Sequence, residues 1–318
     1  MTPAPPPGSL PRPLPAALAA WASGGPAPAY DLLADRADGT VVRCGDAVAK
    51  AHARDTDRQA LERRLALAGH GALAGVLLPP LRTGTVGERP ASLWPYGAPV
   101  DPERPDDAPW EEAARLLAAL HRTPPAALPG PVPPMRGPAK VARALHRLAA
   151  APHPDPEGAL AVRAAARTLP DWARGRGSAP PGGALCHGDL HLGQLVRHPA
   201  PDGPWLLIDV DDLGLGTPAW DLARPAAWYA AGILAPAAWL RFLDAYRAAG
   251  GPAAGPPGTD PWPELDVTAR ALTVQTAALA LAKAAHGQRP LDEAERLVLE
   301  ACVRIAAVPT ESQRRARP

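Results

Sequence analysis

"LCHGDLHLGQL", residues 185–195, sets two histidines, an aspartate, two glycines and a glutamine between apolar ends. Asp189 lies two residues after His187 and five before Gln194, and Asp209 follows 20 residues later at the end of the apolar run "WLLID". Phosphoryl transfer needs such a set: one carboxylate to orient an acceptor hydroxyl, and oxygen ligands for the Mg²⁺ that bridges nucleotide phosphates. On this reading Asp189 is the base, with Gln194 and Asp209 on the metal. The same loop supports a rival. His187, Asp189 and His191 alternate as H-x-D-x-H and, completed by Asp209 and Asp211, form a candidate metal-dependent hydrolase cluster.

Upstream, "AVAK" places Lys50 on a predicted strand, and Glu62 follows 12 residues later. The intervening "DTDRQALERRLALAGH" (55–70) has Leu61, Leu65 and Ala68 at helical spacing and predicts a helix capped by Asp55 or Thr56. A lysine on a sheet reaches nucleotide phosphates only if something holds its flexible stem, and a helix glutamate is a suitable partner.

Around these motifs the chain divides by period. "YDLLAD", "TVVR" and "AVAKAH" between residues 29 and 52 predict an antiparallel meander, and "GVLLP" and "PASLWPYG" predict two further strands. Beyond residue 106 helical spacing dominates, in 106–122 and near 139–150, 157–169, 217–232, 236–249, 264–286 and 291–307. One hairpin, "LVR" to "WLLID", interrupts them. The expected organisation is a Pro-rich flexible leader (1–26), a nucleotide-binding sheet with one helix (27–97), a helical lobe carrying the catalytic loop and acceptor pocket (98–309) and a basic tail (310–318). The connection lies near residues 94–100. This is a bilobal α+β chain.

Composition narrows the partners. Across 318 residues, 33 Lys and Arg face 32 Asp and Glu, a formal charge of +1, which argues against a nucleic acid polymer or an anionic membrane as partner. No run approaches the ~18 continuous apolar residues of a membrane-spanning helix. Cys44, Cys186 and Cys302 are odd in number and far apart, which disfavours a disulfide framework and points to the reducing cytoplasm. Trp220, Trp228, Tyr229 and Trp239 sit close in sequence and suit either core packing or a platform for a sugar ring.

Taken together, "AVAK", the helix with Glu62, "LWPYGAPV", "AALHRTPP", "HGDLHLGQ", "LLIDVDD" and "GTPAWDLARP" resemble the aminoglycoside phosphotransferase family, small-molecule kinases of the protein-kinase-like fold. The pieces span residues 29–230 in order, and "HGDLHLGQ" is also similar to the loop of bacterial maltokinases. The resemblance implies ATP or GTP as co-substrate, Mg²⁺, and a small polar acceptor such as an aminoglycoside, a sugar or an amino alcohol. It puts the catalytic base on Asp189, the metal on Asp209 and Gln194, the nucleotide lysine on Lys50 and its partner on Glu62. The adenine or guanine of the nucleotide is expected against the connection at Trp94 and Tyr96, and structural support of the loop on His187 and Asp221. Three departures stand out: Gln194 replaces the usual Asn, no G-x-G-x-x-G precedes Lys50, and Asp211 replaces a glycine. Asp211 then binds a second metal, faces a cationic substrate together with Asp212, or caps the turn before "LGLG". The two rivals to a kinase are the hydrolase above and a non-catalytic nucleotide-binding homologue.

Overall fold

The computed structural model describes residues 13–36, 38–152, 155–178, 180 and 183–307. Residues 1–12 of the expected leader and the expected basic tail lie outside that range. The described residues form two compact units, one from within residues 1–99 together with 196–206, the other from within residues 100–195 and 207–318.

The first unit is built on an antiparallel sheet of β1 (Asp31–Arg36), β2 (Gly39–Cys44), β3 (Ala47–His52), β4 (Arg82–Val86) and β5 (Arg89–Pro95), in the order β1-β2-β3-β5-β4. Register follows the pleat: Val42 pairs with Ala49 across β2 and β3, and both are fully buried, whereas the Val41–Lys50 pair is only partly covered. Two expectations change here. The run "GVLLP" is a buried loop rather than a strand, and the strand is the following "RTGTV", whose first four residues are exposed. An edge strand with a solvated face carries no apolar run to betray it.

The leader also differs from expectation. Residues Leu14–Ser23 form helix α1, with Leu18 and Ala19 fully buried against Val42, Ala49 and Leu93 of the sheet. Trp21 stacks beneath the Arg82 guanidinium at 4.6 Å, and a side chain at Gly84 would come within 3.0 Å of its ring. Helix α2 (Arg58–Ala68) follows β3 and is capped by Asp57, not by Asp55 or Thr56, through Ala60 N–H. The hairpin of β8 (Leu195–Arg197) and β9 (Trp205–Leu207), expected inside the helical lobe, pairs instead with β6 (Ala98–Pro99), so residues 196–206 belong to the first unit. Glycine is needed at Gly97, where a Cβ would sit 2.5 Å from the Val196 side chain.

The second unit is helical: α3 (Trp110–Arg122), α4 (Gly137–Ala150), α5 (Pro156–Arg167), α6 (Ala219–Ala230), α7 (Pro236–Ala248), α8 (Trp262–Gly287) and α9 (Glu293–Ala306). Helix α8 is the centre, packed by α4, α5, α6 and α9, and its small residues Ala271, Ala277, Ala278 and Ala284 are buried on all sides. Trp110 meets Phe242 edge-on at 6.0 Å where α3 packs on α7. Among the described residues no helix is long and apolar enough to cross a membrane. Two short strands, β7 (Ala184–Cys186) and β10 (Gly214–Gly216), pair antiparallel and frame the loops between them.

Candidate active site

The loop leaving β7 is fixed from behind by one carboxylate. Asp221, in the first turn of α6 and 1% exposed, accepts from the His187 N–H at 2.6 Å and the Gly188 N–H at 2.7 Å. It also accepts from His121 Nε2 at 3.0 Å, and His121 Nδ1 lies 2.8 Å from the Tyr246 hydroxyl, which in turn accepts from the Ala253 N–H. Burial pushes the Tyr246 phenol far up, so its O–H stays a donor to His121 Nδ1 and each donor among Ala253, Tyr246 and His121 finds an acceptor. Gly188 takes φ +84°, and a Cβ there would lie 2.5 Å from the Asp212 carbonyl. His187, fully buried, donates from Nε2 to the Ile208 carbonyl at 2.8 Å, while its Nδ1 is buried without a partner. The Ile208 N–H donates to the Gln194 carbonyl at 2.9 Å. The Ile208 backbone thereby ties the loop to the segment bearing Asp209.

Asp189 projects from this scaffold between two cations. Arg224, one turn after Asp221 on α6, donates to Asp189 Oδ1 at 2.7 Å and to the Leu190 carbonyl at 2.9 Å. Lys140 of α4 reaches Asp189 Oδ2 at 2.6 Å and Asp212 Oδ2 at 2.8 Å, and Arg136 Nε lies 3.3 Å from Asp212 Oδ1. Burial raises the Asp189 carboxyl, but the Lys140 and Arg224 charges outweigh it and hold it below the ordinary range. Helix α4 arrives here because Met135 N–H donates to the Leu215 carbonyl and Leu215 N–H to the Pro133 carbonyl, a contact for which Gly214 and Gly216 leave room.

Asp209 adopts the left-handed conformation, φ 61° and ψ 68°, unusual for any residue but glycine. The Gln194 amide nitrogen lies 3.3 Å from Asp209 Oδ2 and 3.1 Å from His191 Nε2. These neighbours make opposite demands. Burial, then the Arg224 charge, push the His191 imidazole down to about 4, and its Nδ1 accepts from the Gly193 N–H, so its proton sits on Nε2 and calls for an oxygen. Rotating the amide by half a turn gives His191 that oxygen and sets it beside the Asp209 carboxylate. Two hard oxygens that close repel each other unless a cation is shared, and a carboxylate with an amide carbonyl is a donor set suited to Mg²⁺.

The hydrolase cluster is not assembled. His187 Nε2 carries a proton to a carbonyl and both Asp189 oxygens sit in ion pairs, so His187, Asp189 and His191 do not converge. Among the described residues the ligand atoms that do converge are those of His121, Cys186 and Asp221, where His121 and Asp221 are already spent on hydrogen bonds. In the sheet unit, Lys50 is half-buried on β3 opposite Ser92 of β5, and Glu62 is exposed on α2. The buried charge of that helix is Arg64. Trp94 faces inward, its indole N–H donating to Ser92 Oγ, and Tyr96 has its ring under Arg43 at 3.5 Å and both backbone groups engaged, by Asp46 and His198. Asp211 is half-buried in the turn Val210–Asp212, next to Asp212, which is held by Lys140 and Arg136.

A sheet unit followed by a helical unit with this loop defines a kinase-like phosphotransferase. Residues 32–262 match the phosphotransferase enzyme family, and the chain belongs to it, as a small-molecule kinase. No curated protein matches the sequence. Solved structures of the same fold include a choline/ethanolamine kinase family protein from Mesorhizobium loti, at 17% identity and TM-score 0.54, covering 90% of each chain. The choline kinase LicA from Streptococcus pneumoniae shares 15% identity at TM-score 0.56, covering 88% of this chain and 93% of its own. A thermostable mutant of aminoglycoside phosphotransferase APH(4)-Ia, in ternary complex with AMP-PNP and hygromycin B, shares 15% identity at TM-score 0.57, covering 88% and 94%.

Proposed function

We propose that the chain transfers the γ-phosphoryl group of ATP or GTP to a hydroxyl of a small polar molecule, with Asp189 as the catalytic carboxylate. The observation that carries the reading is the Asp189 side chain, held ionised at the tip of a loop that Asp221 braces through two consecutive backbone N–H groups. In the step, the acceptor O–H bond breaks as its oxygen bonds to the γ-phosphorus, the bond to the nucleoside diphosphate breaks, and the proton passes to Asp189. A carboxylate of lowered pKa is a weak base. It therefore orients the hydroxyl first and takes the proton late, once bonding to phosphorus has made the hydroxyl acidic.

Gln194 and Asp209 are the residues that would hold Mg²⁺, which supplies neutralisation of phosphate charge when bound. His191 turns the Gln194 carbonyl toward that position. Lys50 is the phosphate-binding candidate of the sheet unit, and Asp211 is the candidate for a second metal. Cys44, Cys186 and Cys302 are free thiols, in keeping with a cytoplasmic setting. Stabilisation of the protein by ATP or GTP, with and without Mg²⁺, tests the reading. A Mg²⁺-dependent rise in melting temperature that disappears in Asp209→Ala is expected; no shift with either nucleotide contradicts it.

A further inference from the structure

The cations around Asp189 differ in how they are held, and the inference from that difference rests on the kinase reading above. Arg224 is fixed at two points through its planar fork, by the Asp189 carboxylate and by the Leu190 carbonyl. Arg136 is likewise tied to a side chain and to backbone, at 3.3 Å from Asp212 Oδ1 and 3.4 Å from the Asp211 carbonyl. Lys140 bonds through its side chain to no backbone group. Among the described residues its side-chain contacts are Asp189 Oδ2 at 2.6 Å and Asp212 Oδ2 at 2.8 Å. An ammonium has three N–H donors, so one is unspent. It stands at the end of a flexible stem whose side chain is 20% exposed, within reach of a ligand.

The place of Lys140 matters here, not its charge. Arg136, Lys140 and Arg224 meet Asp189 and Asp212, and Asp209 and Asp211 lie on the same turn as Asp212 with interactions of their own, so the cations hold no surplus. What is particular to Lys140 is the seam it occupies. Asp189 belongs to the loop that meets the acceptor, and Asp212 ends the turn that begins at Asp209, one of the residues that would hold Mg²⁺. A phosphoryl group on its way to the acceptor lies between those segments. One side of it is turned toward Asp209 and Gln194, and its phosphorus is within about 3–3.5 Å of an acceptor oxygen that is itself about 2.6–3.2 Å from an Asp189 oxygen. The Lys140 ammonium touches both segments and so stands beside that path.

We infer that Lys140 is a further catalytic residue, whose third N–H bonds to an oxygen of the γ-phosphoryl group of ATP or GTP and stays with that group as it passes to the acceptor. Lys140 keeps all its protons, and the proton of the acceptor goes to Asp189. Charge on the phosphoryl oxygens is thereby met by a donor already in place, with no reorganisation at the moment of transfer.

Calorimetric titration with ADP and with AMP-PNP, both in Mg²⁺, needs no acceptor and tests this in wild type, in Lys140→Met and in Lys140→Met combined with Asp212→Asn. The readout is the affinity for AMP-PNP divided by that for ADP. In Lys140→Met the ratio should fall about ten-fold, the loss of one charge-assisted bond to the group that ADP lacks, with ADP affinity within about two-fold of wild type. The double variant removes a positive and a negative charge together, and there the ratio should stay low. A ratio taken within one variant is insensitive to how much of that variant is folded. Two results overturn the inference. One is an unchanged ratio in Lys140→Met, whether both affinities hold or both fall together. The other is recovery of the ratio in the double variant, which would make the effect one of local charge rather than contact. Failure of the wild type to bind either nucleotide instead removes the kinase reading, and this inference with it.

Discussion

In the helical unit the loop from Cys186 to Gln194 is tied down by side chains from elsewhere in the fold: Asp221 on its backbone, and Arg224 and Lys140 on Asp189. In the sheet unit the residues expected to meet a nucleotide are engaged mainly with near neighbours. Trp94 bonds to Ser92 two residues away, Tyr96 lies under Arg43, and Glu62 is exposed on its helix. The contrast follows from what each has to do. Moving a phosphoryl group demands a carboxylate held to within a fraction of an ångström, and that precision needs buried, fully hydrogen-bonded supports. Nucleotide phosphates can be met by a lysine on a long flexible stem.

The contrast is broken most sharply at Asp221. Asp221→Ala leaves two backbone N–H groups and the His121 N–H without a buried acceptor and should cost about 3–5 kcal/mol, with Asp221→Asn, which keeps one oxygen, costing less. Urea unfolding measures both, and a loss under about 1 kcal/mol for the alanine variant would mean that the loop is not held as described.

His191 gives an intermediate effect with a definite sign. Its folded-state pKa is pushed down to about 4, so between about pH 6.5 and pH 4 the unfolded chain binds more protons than the native state. Stability is then full above pH 6.5 and lost as pH falls through that window, by about 2 kcal/mol between pH 7 and pH 5 in metal-free buffer. His191→Gln should flatten this dependence, and an unchanged slope in unfolding curves at the two pH values would count against it. Asp189, also lowered, adds its own loss only below the ordinary carboxylate range, as pH falls through its folded value.

The smallest effect is expected at Glu62. Glu62→Gln should change stability by less than about 0.5 kcal/mol and leave the affinity for Mg²⁺ and ATP within two-fold, as for a surface substitution. A large loss of nucleotide affinity would give Glu62 the role of partner to Lys50.

What was legible in the sequence tracks how local each feature is. The loop and the hairpin are contiguous, so Asp189, Gln194 and Asp209 could be picked out by spacing, and Asp221 by the family resemblance of "GTPAWDLARP". Arg224 was within sight, three residues after Asp221 and on the same helical face, and His121 stood in the quoted "AALHRTPP". Lys140 carried no signal: it lies 49 residues before Asp189 on an ordinary amphipathic helix, where a lone lysine reads as solvated. Helix α1 was hidden by its prolines, although Pro13 and Pro15 sit at the start of a helix, where proline is well tolerated. Strand β4 was hidden by its exposure. The exposure of Glu62 could not be read, because a position on a helix does not say which way the helix turns, and α2 buries Leu61, Arg64 and Leu65.

The central claim is that Asp189 acts on the acceptor hydroxyl rather than on the fold. Its most direct test is phosphoryl transfer by Asp189→Asn against wild type, with ATP affinity measured on the same samples. The account predicts a fall in turnover of about 10²-fold or more with nucleotide affinity within two-fold. Turnover retained within a few-fold would contradict it.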